Sequence, residues 1–166
     1  MTNNFLEKLF EHNNWANLQI IQVCSALSDE QLDAAPQSAT MGSIRSTLLH
    51  LVSAQQGYLR LLTLPLETRR DAVKIAFDEL QESVTRSGEG LLALTRDLSN
   101  NLPTTQLRTR DDFFVEPWVI MVQIINHATE HREQINSMLS ALGVIPPELD
   151  GWAYGLVTNT LIPISP

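Results

Sequence analysis

Two of the four histidines in this chain stand four residues apart in His127-Ala128-Thr129-Glu130-His131. On an α-helix that spacing separates two rings by roughly 40° about the axis and about 6 Å along it, so both can reach one ion from one face. Ile120, Ile124, Met138 and Leu142 share the stripe, which turns the pair toward a bundle interior, where an imidazole without a partner is costly. A divalent metal would satisfy both rings, although histidines at this spacing also occur on solvated faces. The segment departs from the His-Glu-x-x-His pattern of zinc peptidases, because Ala128 stands where that pattern carries its general base. A zinc-peptidase function is therefore excluded.

His50 is the natural third ligand, since it falls mid-helix, near an apolar stripe and far from either helix end. Three neutral imidazoles from two facing helices would fill one face of a coordination shell and leave at least one position open. That is the arrangement of catalytic sites, because structural zinc normally takes four protein ligands. Glu130 projects about 60° from His127, within reach of a ligand or a bound water, or alternatively of a solvent ion pair with Arg132 or Arg86. Gln134, only about 20° from His127, is a candidate to hold a ligand by its amide. Asn13 lies on the Leu9, Ala16, Ile20 stripe, where a buried amide would either orient a ligand or substrate or bridge two helices. His12 borders a cavity or faces water and is not taken as a ligand. Trp15, Trp118, Trp152, Tyr58 and Tyr154 are candidate pocket walls, though aromatics at helical spacing more often simply pack.

Helices must position these groups. Apolar spacing predicts a first helix over 4–27, a short segment opened by Ser28 and ended by Pro36, and a second long helix over 44–64 halted by Pro65. Thr40 or Ser43 is available to cap the second long helix. A third is expected over 67–98, with Gly88 and Gly90 as weak points. The stretch 99–116 reads as a long connection that covers a site. The last helix starts at Pro117 and ends at Leu142, with Gly143 as its cap and an irregular tail beyond. No strand alternation is convincing, so the expected architecture is an all-α antiparallel four-helix bundle in one domain over 1–166.

Composition narrows the functions. With 43% hydrophobic and 18% charged residues the chain is globular. A net charge of -8 and scattered basic residues disfavour nucleic acid. No apolar run is long enough to span a membrane, and the N-terminus lacks the apolar core of a secretory signal. A single cysteine, Cys24, leaves nothing to form a disulfide within the chain and reads as a small buried hydrophobe in a reducing cytoplasm.

The segments His12-Asn13-Asn14-Trp15-Ala16-Asn17, Gly42-Ser43-Ile44-Arg45-Ser46-Thr47-Leu48-Leu49-His50-Leu51 and Asn126-His127-Ala128-Thr129-Glu130-His131-Arg132-Glu133-Gln134-Ile135, with the close Leu142-Gly143-Val144-Ile145-Pro146-Pro147-Glu148-Leu149-Asp150, together resemble the DinB (damage-inducible, YfiT-like) superfamily. The resemblance runs from residue 5 to about 154. It implies an up-down-down-up bundle, a homodimer, and one divalent ion, zinc or nickel, held by His50, His127 and His131. Relatives of this kind include thiol-dependent transferases that use a low-molecular-weight thiol as cosubstrate on a small molecule, with isomerases and hydrolases among the others. The implied function is a thiol-transferase-like enzyme with Glu130 and Asn13 as helpers. The alternatives are a metal-dependent hydrolase, or a non-catalytic stress-related binding module. The family name records expression in one member and does not imply DNA repair here.

Overall fold

The computed structural model describes residues 4–35, 42–69, 74–96 and 102–164. Helix α1 covers Phe5–Cys24, its first turn capped by the Asn4 side chain, which accepts from the Glu7 amide at 3.3 Å. It ends one turn before the expected Leu27, because the Ser25 hydroxyl turns back to the Gln22 carbonyl and Ser28 opens a new helix. That helix, α2 (Asp29–Asp33), carries a complete capping box between Ser28 and Gln31. Helix α3 (Ile44–Thr63) is capped by Ser43, which accepts from the Ser46 amide at 3.2 Å; Thr40 lies outside the described residues.

The third long helix differs from its expected span. A 3-10 turn at Leu66–Thr68 and another at Phe77–Glu79 precede α4, which covers Leu80–Arg96. The carboxylate of Glu79 folds back onto the Ala76 amide at 3.3 Å, so the chain enters the helix there and not at residue 67. Nor are Gly88 and Gly90 weak points. A Cβ on Gly88 would lie 2.7 Å from Asn14 Oδ1 and one on Gly90 2.7 Å from Leu59 Cδ2, so the missing side chains admit α1 and α3 close to α4.

The connection before the last helix contains a small antiparallel hairpin, β1 (Leu107–Arg108) and β2 (Phe114–Val115), with Asp112 at φ 61° in its turn. Hairpins this short give no readable alternation. Helix α5 (Pro117–Ala141) begins on its proline and closes on Gly143 at φ 73°, as the sequence predicts. The tail expected to be irregular instead forms α6 (Gly151–Val157), because Asp150 accepts from the Ala153 amide at 2.9 Å and Tyr154 packs on Trp15.

The four long helices form a bundle in which α1 and α3 each contact both α4 and α5. Asn4 of α1 donates to the Thr95 carbonyl near the end of α4 at 2.6 Å, so these two run antiparallel. Gln55 meets Val84 while Leu59 meets Gly90, so α3 and α4 run parallel. The order is up-down-down-up.

Two apolar clusters fill the interior, one around Ile20, Leu48 and Ile135, the other around Phe10, Leu62 and Ile124. Between them lies a buried polar layer. The Arg132 guanidinium donates to Asn13 Oδ1 at 2.8 Å and Asn17 Oδ1 at 2.6 Å, and to the Thr129 hydroxyl at 3.0 Å. Asn17 in turn donates to Gln55, which reaches Ser87 and the Val84 carbonyl. All four long helices are thereby tied at one level. Among the described residues no helix is long and apolar enough to cross a membrane.

Candidate metal centre

Helices α3 and α5 bring His50, His127 and His131 together. His127 Nε2 is 3.0 Å from His50 Nε2 and 3.1 Å from His131 Nε2. These form the only group of histidine, cysteine, aspartate or glutamate side chains among the described residues placed to hold a metal. Metal–imidazole bonds of ~2.0–2.1 Å put ligand nitrogens about 2.9 Å apart at right angles and about 3.4 Å apart at the tetrahedral angle. The two separations from His127 fall in that interval and all three donor atoms lie within 4.8 Å of one another, so the group could hold one metal ion. His131 is 6% exposed, and the other two rings are half-buried, which leaves one side of the cluster approachable.

Charge favours the ligand form. Burial, then His131 and His50, lower the His127 imidazole to about 4, and burial with His131 also lowers His50. Neutral rings keep their lone pairs for a cation. The sign of the accompanying pH dependence follows. Between about pH 6.5 and 4 the unfolded chain binds a proton at His127 that the fold refuses, so metal-free protein loses stability as pH falls through that window. Denaturant midpoints measured across it should show a slope that His127→Gln flattens; an unchanged slope would contradict the assignment.

Gln134 Oε1 lies 2.9 Å from His131 Nδ1. An amide oxygen accepts only, so Nδ1 carries the hydrogen and Nε2 presents its lone pair to the cluster. Gln134→Ala should weaken metal affinity by about 10–100-fold with the helix content unchanged, measured by competition with a chromophoric chelator.

The remaining candidates are placed differently. Glu130 is exposed and contacts neither a histidine nor either arginine, since Arg132 turns inward and Arg86 pairs with Glu82. Asn13 is buried and bonds Arg132, the helix-bridging alternative, and not a ligand. His12 donates to the Leu149 carbonyl at 2.8 Å and packs tilted on Trp15 and edge-on to Tyr154, which ties α1 to the tail. Trp118 and Trp152 are exposed. Tyr58 alone of the five aromatics reaches the three-histidine cluster, edge-on to His127 at 5.7 Å between centroids.

Tyr58 also lines a cavity of about 310 Å³. Ser53, Ala54, Gly57 and Leu61 form the same wall, continuing along α3 the face that carries His50. Arg69 and the hairpin residues Thr109 and Arg110 form the other wall, so the connection borders this cavity, which none of the three histidines lines. This cavity and the Arg132 layer were not among the sequence expectations. The layer did leave a signal, for Asn13, Asn17, Gln55 and Arg132 each occupy a core register in an otherwise apolar stripe.

Fold and site define an up-down-down-up helical bundle with a three-histidine group able to hold a metal ion. The model of the DinB family matches residues 1–160, and the chain belongs to that family. It is 24% identical to Protein DinB of Bacillus subtilis (strain 168), over 95% of this chain and 97% of that one. A crystal structure assigned to the DinB family, from Exiguobacterium sibiricum, superposes with a TM-score of 0.68 at 17% identity, covering 90% of this chain and 99% of the other.

Proposed function

We propose that this protein is a divalent-metal-dependent enzyme that activates a thiol or water toward a small electrophilic substrate, of the thiol-dependent transferase type. The observation that carries the reading is the convergence of three imidazole nitrogens, one with its tautomer set by Gln134, beside a cavity that shares Tyr58 with the cluster. A zinc or nickel ion held there would supply Lewis acidity, lowering the pKa of a thiol or water. The chain's own part is to present neutral rings, fix the His131 ring plane, and shape the adjoining wall with Tyr58 and Leu61. Three protein ligands, with no fourth among the described residues, favour catalysis over a structural role. Imidazole donors suit both metals, so occupancy would follow availability.

The test is turnover of metal-loaded protein with several low-molecular-weight thiols and small electrophiles. Turnover that needs both metal and thiol supports the transferase, thiol-independent turnover supports a hydrolase, and turnover that survives metal stripping contradicts the mechanism. The reading includes a homodimer in the cytoplasm. Exposed Phe113, Phe114, Trp118 and Val122, clustered on the hairpin and the start of α5, support an association surface. Sedimentation showing a monomer at micromolar concentration would count against it.

A further inference from the structure

The buried polar layer runs as one chain of hydrogen bonds with a fixed direction. Arg132 on α5 donates to Asn17 Oδ1 on α1 at 2.6 Å, and Asn17 Nδ2 donates to Gln55 Oε1 on α3 at 2.8 Å. Gln55 Nε2 then donates to the Val84 carbonyl at 3.1 Å and to the Ser87 hydroxyl at 2.8 Å, both on α4. A guanidinium only donates and a carbonyl only accepts, so the two ends dictate one orientation for both amides between them. Arg132, Asn17, Gln55 and Ser87 are all buried. Sliding α3 along α5 would strand buried donors and acceptors, which is costly, whereas the apolar clusters on either side attract without direction. The layer therefore selects one register of the bundle.

That register reaches the histidines. Gln55 lies five residues beyond His50 on α3, about 7.5 Å along the axis, and Arg132 directly follows His131 on α5. The chain of bonds thus grips both ligand-bearing helices within about a turn and a half of the cluster. Metal–ligand distances tolerate deviations of only about 0.2 Å, so a small slide of α3 against α5 would strain the bond to His50. We propose that Asn17 and Gln55 are positioning residues for the metal centre, holding α3 in the register that keeps His50 Nε2 3.0 Å from His127 Nε2. Their role toward an ion rests on the metal centre described above, whereas the juxtaposition of the two rings needs no ion.

Three variants test the assignment. Gln55→Leu removes the α3 link at nearly constant volume, and Gln55→Glu, which keeps an oxygen for Asn17 Nδ2, is the conservative rescue. Leu32→Ala, at a buried position of α2, lowers stability while leaving the chain of bonds in place. On each folded variant zinc affinity is measured by competition with a chromophoric chelator, and cobalt(II) absorption reports the ligand angles. Ring-proton NOEs between His50 and His127, whose centroids are 5.0 Å apart, are recorded in metal-free protein. Gln55→Leu is expected to lose about tenfold or more in zinc affinity, to shift the cobalt bands and to weaken the NOE. Gln55→Glu should restore most of each, and Leu32→Ala should change none in spite of a lower denaturant midpoint. Parent-like affinity and cobalt spectrum in folded Gln55→Leu, an equal loss in Leu32→Ala, or no rescue by Gln55→Glu would overturn the assignment. If the parent itself takes up no stoichiometric metal, the metal centre fails and the NOE decides alone. Its selective weakening in Gln55→Leu then keeps the positioning of the rings, and an unchanged NOE removes that as well.

Discussion

His127→Ala is expected to abolish stoichiometric metal binding while leaving the bundle folded. His127 is the middle member of the cluster, within 3.0 Å of His50 and 3.1 Å of His131, so its removal leaves two rings whose nitrogens no longer share a neighbour. A four-ligand zinc site is worth ~10–16 kcal/mol, or roughly 3–4 kcal/mol per ligand, so one deletion should cost roughly two to three orders of magnitude in affinity. Stability should change little, because the ring is only half-buried and its lost packing is against the His131, His50 and Tyr58 rings. Elemental analysis after dialysis against a weak chelator measures the loss, and circular dichroism verifies the fold. His12→Ala is the control, since that ring is committed to the Leu149 carbonyl and should leave metal content untouched. Undiminished metal in folded His127→Ala would sink the centre.

The largest effect on stability is expected from Arg132→Met. Two opposing costs decide its size. Burial lowers the Arg132 guanidinium to about 10, which at about 1.4 kcal/mol per pH unit corresponds to roughly 3 kcal/mol of desolvation that methionine would relieve. Against this stand three hydrogen bonds from a charged donor, to Asn13, Asn17 and Thr129, at ~1.5–3 kcal/mol each. The bonds win, because their loss strands two buried amide oxygens between apolar clusters, and the net is about 3 kcal/mol of destabilisation. For a domain of this size that lowers Tm by about 6–12 °C in calorimetry. Arg132→Lys keeps the charge without the fork that bonds both asparagines, so it should fall between the two. A methionine variant as stable as the parent would mean that desolvation outweighs the network.

Periodicity made the four long helices readable because each buries one stripe and shows its opposite face to water. The expected 67–98 helix was late to start because apolar spacing through Ile75 and Phe77 is blind to a carboxylate that caps a backbone amide at residue 76. The glycines escape periodicity for a related reason. Helix propensity treats Gly88 and Gly90 as intrinsic losses, whereas their function is steric and exists only once α1 and α3 approach. The tail helix needs only the Asp150 cap and one aromatic contact, too short a signal for any repeat to register.

By itself the sequence determined the bundle class, the one-face geometry of His127 and His131, and the position of Gln134 about one turn beyond His131 and two beyond His127. These follow from the pitch of a single helix, which is a local property. Resemblance to a family joined His50 to the pair, and only the packing of α3 against α5 placed its nitrogen beside theirs. Tertiary structure alone decided that Asn13 serves Arg132, that Glu130 faces solvent, and that arginines on α3, on the segment after it and on a hairpin line one cleft. Contacts between residues dozens of positions apart depend on which helix faces meet, and burial and charge at a site are set by those meetings and not by spacing along the chain.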